Sequence, residues 1–287
     1  MTVLQSCTRG TDTIQSQGKT LHLDLYEIDR ANRTIVFIPG MGCHAGIYGE
    51  FLSALAGHGF NVIGADLPGH GRSAGKRGVF TFDEVMTAVS DVVTYAAGRY
   101  GDRVGLMGSS LGGTFALYAA TCEPRLKAIL CHNVMDISAD LHVATRYPVF
   151  FRFLIQRLRF LADFLPWLPV PLRILVDWNN VVERKGLLRA LLRDDTMVWY
   201  YSLGSWNSFL DYPRVDFSTI APPVKIIVGR EDRLFPPEYC REIAARVGKH
   251  GAEFEIVDGG HMLPLEAAAT TTAIAARWFD EKLESAP

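Results

Sequence analysis

The chain alternates short runs of β-branched and aromatic residues with longer stretches of helical spacing, and no other feature constrains its fold as much. Thr34-Ile35-Val36-Phe37-Ile38 is a continuous apolar run ended by Pro39-Gly40-Met41-Gly42, the pattern of a strand buried on both faces. A helical stretch follows from about Tyr48 to Gly57. The strand Phe60 to Ala65 is next, closed by Asp66-Leu67-Pro68-Gly69-His70-Gly71. A helix over about Asp83 to Arg99, a strand at Val104 to Met107, another helix and a strand at Leu126 to Cys131 continue the series. Upstream, Thr20 to Asp29 alternates enough to predict an early antiparallel strand. The series breaks between about Asp136 and Val215. It resumes with Val224 to Val228, a helix near Pro237 to Val247, the strand Glu253 to Val257 and a final helix from about Leu265 to Leu283.

Such alternation implies right-handed crossovers, and so a mostly parallel α/β sheet with helices on both faces. At 287 residues the chain can form one substantial core with an insertion. The expected division is a core from 1–135 and 216–287, with a helical insertion at 136–215 lying as a cap over the carboxyl edge of the sheet. In open sheets of this kind ligands gather at that edge. Pro39, Asp66 and Ser110 are all placed there.

Gly108-Ser109-Ser110-Leu111-Gly112 falls between the strand at Val104 and the helix that begins near Gly113. A strand that stops where a helix starts forces a sharp turn, and small residues two before and two after Ser110 avoid clashes in it. A hydroxyl is a poor nucleophile at neutral pH; it needs a base, and the base needs a carboxylate to fix its tautomer. Asp232 follows the strand Val224 to Val228, and His261 follows the strand Glu253 to Val257, 29 residues later. All three are expected at one edge, in the order Ser110, Asp232, His261. Glu231 and Asp136 compete for the acid role. An oxyanion would need two preorganised backbone donors. The N–H of Leu111, at the start of a helix, and that of Met41, in the glycine turn, are the candidates.

Together Pro39-Gly40-Met41-Gly42, Asp66 to Gly75, Gly108 to Gly113, Gly229 to Pro236 and Gly260-His261 resemble the α/β-hydrolase superfamily. The branch this chain is most similar to is that of monoacylglycerol-lipase and lysophospholipase-like serine hydrolases. The resemblance covers about residues 20 to 135 and 220 to 285. It implies a nucleophile at Ser110, a base at His261, an acid at Asp232, and oxyanion donors at Met41 and Leu111. Two positions depart from the lipase pattern: Pro39 where His usually precedes the first glycine, and Ser109 where His usually precedes the nucleophile. Dehalogenase and epoxide-hydrolase relatives carry Asp at the nucleophile position, so Ser110 argues against both activities.

The expected activity is cofactor-independent hydrolysis of carboxylic esters with apolar medium or long acyl chains. Thioesterase, lactonase, amidase or aminopeptidase and carbon–carbon bond hydrolase activities remain open on the same triad, as does a ligand receptor built on a hydrolase fold. A formal charge of −2 gives no reason to expect a nucleic-acid partner. Five widely spaced cysteines without C-x-x-C point to reduced thiols, and the histidines show no metal-ligand spacing. His70 is expected to be structural or to line the site entrance. The N-terminal residues lack a basic segment followed by an apolar core, which predicts an intracellular protein.

The insertion differs in character from the rest. From Tyr147 to Leu168, Arg152, Gln156, Arg159 and Asp163 form a polar stripe on an otherwise apolar helix that Pro166, Pro169 and Pro171 end. Its apolar side is expected either to pack on the core or to line an acyl pocket or touch lipid. Residues 146–193 hold nine Lys/Arg against three Asp/Glu, a net +6 that leaves −8 for the remainder. A basic, apolar cap suits loose association with an anionic membrane surface.

Overall fold

The computed structural model describes residues 6–28, 33–137 and 159–284. Its strands are β1 (Thr8–Ser16), β2 (Lys19–Glu27), β3 (Thr34–Ile38), β4 (Asn61–Ala65), β5 (Val104–Ser109), β6 (Leu126–His132), β7 (Pro169–Pro171), β8 (Tyr200–Ser202), β9 (Val224–Gly229) and β10 (Glu253–Val257). The helices are α1 (Gly49–Ala56), α2 (Phe82–Tyr100), α3 (Leu111–Ala119), α4 (Leu172–Leu175), α5 (Trp178–Val181), α6 (Lys185–Leu192), α7 (Leu203–Asp211), α8 (Pro237–Ala244), α9 (Leu263–Glu266) and α10 (Ala268–Glu284).

Eight strands form one sheet in the order β1-β2-β4-β3-β5-β6-β9-β10. From β4 to β10 all neighbours are parallel, and β2 pairs antiparallel with both β1 and β4. The chain steps outward from β3 to β4 and then reverses to β5. With right-handed crossovers that reversal puts α1 and α2 on opposite faces, and opens a crevice between the carboxyl ends of β3 and β5. The turn after Ile38 and the turn around Ser110 flank that crevice. All residues of β3, β4 and β5 are buried, which explains their continuous apolar runs. The sequence motifs between strands act locally too: Thr81 and Glu84 form a reciprocal capping box that starts α2.

The structure departs from the sequence reading in three places. First, β1 was not anticipated. It is an exposed edge strand with only Ser16 buried, so it lacks an apolar face; its hairpin to β2 is set by Gln17 and Gly18, both at positive φ (47° and 75°). Second, the insertion is not purely helical, because β7 and β8 pair in a small two-stranded antiparallel sheet. Proline is tolerated in this short edge strand. Third, the final helix breaks at Ala267 (φ −124°), separating α9 from α10. Of the stretch from Tyr147 to Leu168 only 159–168 lies within the described residues. There Phe160, Phe164 and Trp167 are 61%, 71% and 58% exposed, so of the two expectations for the apolar side these three follow the outward-facing one. Arg159 of the polar stripe pairs with Asp211, whereas Arg152 and Gln156 lie outside the described residues.

The insertion bonds directly to the loops at the carboxyl edge. Val198 N–H donates to the Gly42 carbonyl (2.8 Å), Ser202 N–H to that of Gly78 (2.8 Å), and the Arg77 guanidinium to that of Thr196 (2.9 Å). Gly42 sits at φ +70° with the Val198 carbonyl where a Cβ would stand, so this junction needs glycine. Among the described residues no helix is long and apolar enough to cross a membrane.

Candidate active site

Ser110 occupies the turn between β5 and α3 at φ 56°, ψ −122°, a conformation that non-glycine residues rarely adopt. The turn closes because its neighbours lack side chains: a Cβ on Gly108 would collide with the Gly112 carbonyl, and one on Gly112 with the carbonyls of Ile38 and Pro39. The Gly-x-Ser-x-Gly spacing is therefore a steric requirement, and the same contact seats α3 against the end of β3.

Three side chains distant in sequence meet here. His261 Nε2 lies 2.9 Å from Ser110 Oγ, and His261 Nδ1 lies 2.9 Å from Asp232 Oδ2. The other Asp232 oxygen accepts the N–H groups of Leu234 (2.8 Å) and Phe235 (2.9 Å). The Phe235 ring stacks on the imidazole at 5.4 Å. Burial opposes a charge on Asp232, yet the adjacent imidazole and the hydrogen bonds it accepts outweigh that and hold its carboxyl below the ordinary value. An ionised Asp232 fixes the proton on Nδ1. Nε2 is left as an acceptor facing the hydroxyl.

The competitors for the acid role are elsewhere. Glu231 is exposed, and Asp136 binds Arg246 (2.9 Å) and the Tyr118 hydroxyl. Met41 and Leu111 both line the space beside Ser110, and among the described residues neither N–H donates to a protein group, whereas those of their neighbours Gly42 and Gly113 do. Leu111 is the first residue of α3.

The sequence reading missed several residues around this centre. Asn133, at the end of β6 with φ 64°, brings its side-chain nitrogen to 3.1 Å from His261 Nδ1, while its oxygen has no partner among the described residues. Turning the amide over sets that oxygen toward the Nδ1 proton, which Asp232 also accepts, and moves the amide nitrogen to the position without a partner. His132 bonds Ser109 Oγ through Nδ1 (3.0 Å), so an imidazole stands behind the Ser110 turn although residue 109 is serine. His70 is structural: it donates from Nδ1 to the Pro68 carbonyl (3.0 Å) and accepts from the Tyr201 hydroxyl (2.9 Å), which itself accepts Gly42 N–H (2.7 Å). That chain ties the Pro39 to Gly42 turn to the insertion. The signal available for Asn133 and His132 was their position, polar residues ending an apolar strand; Tyr201 carried none.

Burial sets the charge of two of these histidines. It pushes His70 down to about 4, and His132 down to about 3 with His261 adding to the effect. Both are neutral in the folded protein, while in the unfolded chain each titrates near its ordinary value of about 6.5. Between those values the unfolded chain binds more protons, so stability rises with pH there and falls on acidification. Urea unfolding at pH 4.5 is expected to give about 2 to 5 kcal/mol less stability than at pH 7. Equal stability at the two pH values would contradict the buried neutral state. The depressed carboxyls of Asp232 and Asp194 add their loss lower, as pH falls below the ordinary carboxylate value toward their folded ones.

Comparison with known proteins agrees with this architecture. A pimeloyl-[acyl-carrier protein] methyl ester esterase of Xanthomonas campestris is 26% identical over 238 residues, covering 79% of this chain and 87% of its own. The monoacylglycerol lipase of Paleococcus ferrophilus superposes with a TM-score of 0.72 at 22% identity, over 97% of this chain and 100% of its own. A soluble variant of the Saccharomyces cerevisiae monoglyceride lipase gives 0.78 at 15% identity, over 98% and 96%. The family model described as "Serine aminopeptidase, S33" matches residues 29–267. The chain therefore belongs to that family of hydrolases, on an α/β-hydrolase fold like that of the monoacylglycerol lipases.

Proposed function

We propose that this hydrolase cleaves carboxylic esters through an acyl-enzyme on Ser110, with His261 as base, Asp232 as its acid partner, and the Met41 and Leu111 amides as oxyanion donors. The observation that carries the reading is the hydrogen-bonded series from Ser110 Oγ through His261 to Asp232 at the carboxyl edge. Ser110 Oγ attacks the ester carbonyl as His261 Nε2 takes its proton. The tetrahedral oxyanion is stabilised by the two amides, each worth about 3 to 4 kcal/mol of barrier. His261 returns the proton to the leaving alcohol, then activates water to release the acid. Asp232 stays ionised throughout and stabilises the imidazolium.

The space beside Ser110 is lined mainly by apolar side chains, among them Met135, Val176, Val181, Leu234 and Met262, which supports an apolar acyl group such as that of a monoacylglycerol or lysophospholipid. Strain at Ser110 supports an enzyme over a ligand receptor, since a receptor gains nothing from it. Mixing the protein with p-nitrophenyl esters is expected to release a burst of p-nitrophenol equal to the enzyme concentration, followed by steady turnover. Folded protein that turns over no ester would overturn the reading.

Residues 136–215 would act as the cap of this site, and the net positive charge of 146–193 together with the exposed apolar side chains there would dock it loosely on anionic lipid. Vesicles rich in phosphatidylglycerol should sediment the protein at low salt and release it at about 0.5 M salt, where screening is nearly complete beyond about 4 Å. No sedimentation at low salt would end the membrane proposal.

A further inference from the structure

Two apolar spaces share one side chain. The free space beside Ser110 is a cavity of about 30 Å³, room for little more than one water-sized group. The groove on the insertion is about 910 Å³ and is lined by Trp167, Pro169, Leu188, Leu192 and Trp199 among others. Trp178, the first residue of α5, lines both. Its ring meets Trp199 edge-on at 4.9 Å between centroids, and Trp199 lines the groove alone. Val176 and Val181, flanking Trp178, complete the wall over Ser110.

The indole of Trp178 also carries an unmet demand. Its N–H is buried and has no partner among the described residues. A buried donor without an acceptor costs about 1 to 3 kcal/mol, which lowers the free energy needed to move the ring toward water. With the ring in place, an acyl chain of more than a few carbons has no room beside Ser110. With the ring displaced, the cavity joins a groove large enough for a long chain and apolar enough to hold it.

We propose that Trp178 is the specificity-determining partition of this site: it closes the catalytic cavity against the groove, and long acyl chains reach Ser110 only by displacing the indole and lying in the groove beside Trp199. This rests on the reading of the site as an esterase. The occupant is the acyl chain of the substrate, because the groove meets the catalytic cavity at Trp178 and is lined chiefly by apolar side chains.

The test is the ratio of kcat/KM for p-nitrophenyl dodecanoate to that for p-nitrophenyl acetate, measured in each variant. Trp178→Ala is expected to raise this ratio at least about tenfold over wild type, the scale on which apolar pockets discriminate chain length. Trp178→Phe, which shortens the ring without removing it, is expected to fall between, and it keeps the test open should the alanine variant fold poorly. Adding Leu192→Arg, at a 60% exposed position on the groove, to Trp178→Ala should reverse the gain. An unchanged ratio in folded Trp178→Ala and Trp178→Phe would overturn the partition, as would an equal loss at both chain lengths, which marks a merely structural role. If wild type hydrolyses acetate but the ratio never moves, only the partition fails; if it hydrolyses neither ester, the esterase reading fails.

Discussion

Replacing Ser110 with alanine is expected to lower kcat for ester hydrolysis by about 10⁵- to 10⁶-fold while leaving the melting temperature within a few degrees of wild type. The separation of the two effects follows from the turn. Alanine keeps the Cβ, so it meets the same strain at φ 56° and the same packing against Gly40. What disappears is the oxygen 2.9 Å from His261 Nε2. The fold therefore keeps its energy balance and the reaction loses its nucleophile. The residual rate would come from the oxyanion amides and from substrate positioning, which act without the triad. Steady-state kinetics beside thermal melts check both halves. A variant that retains wild-type activity would remove Ser110 from the chemistry.

Asp232→Asn is expected to cost about 10⁴-fold in kcat, less than the loss of the nucleophile. Leu234 and Phe235 both donate to Oδ1, so an asparagine there is held with its oxygen toward them and its NH₂ toward His261 Nδ1. A donor facing Nδ1 pulls the imidazole into the opposite tautomer, with its proton on Nε2. That nitrogen then points a proton at Ser110 and cannot accept one. Asn133 offers the Nδ1 proton a neutral acceptor nearby, which is why some activity should survive. Activity within tenfold of wild type would mean the carboxylate is not needed where it stands, since Glu231 faces solvent and Asp136 is engaged by Arg246.

What the sequence made legible and what it concealed divide along one physical line. Ser110, Asp232 and His261 each lie within four residues of the end of a strand, and in a parallel sheet that position brings all three to one edge. Local order alone was enough. Asn133 and His132 obey the same rule, but no chemistry in the sequence required a second polar pair at the end of β6. The insertion followed different rules. Trp178 and Trp199 meet 21 positions apart with α6 between them, and Tyr201 reaches His70 and Gly42 across more than 130. Contacts of that kind leave no periodicity to read. For Phe160, Phe164 and Trp167 the spacing left inward packing and outward exposure both open, because amphipathic spacing identifies a face without saying what covers it; all three are exposed.

Treating the folded protein with a fluorophosphonate, measuring the intact mass and mapping the adduct by peptide sequencing asks whether Ser110 is the reactive residue. One adduct per chain on Ser110, absent in the Ser110→Ala variant and slowed in Asp232→Asn, is the expected result. Folded protein that stays unlabelled, or carries its adduct on another residue, would contradict it.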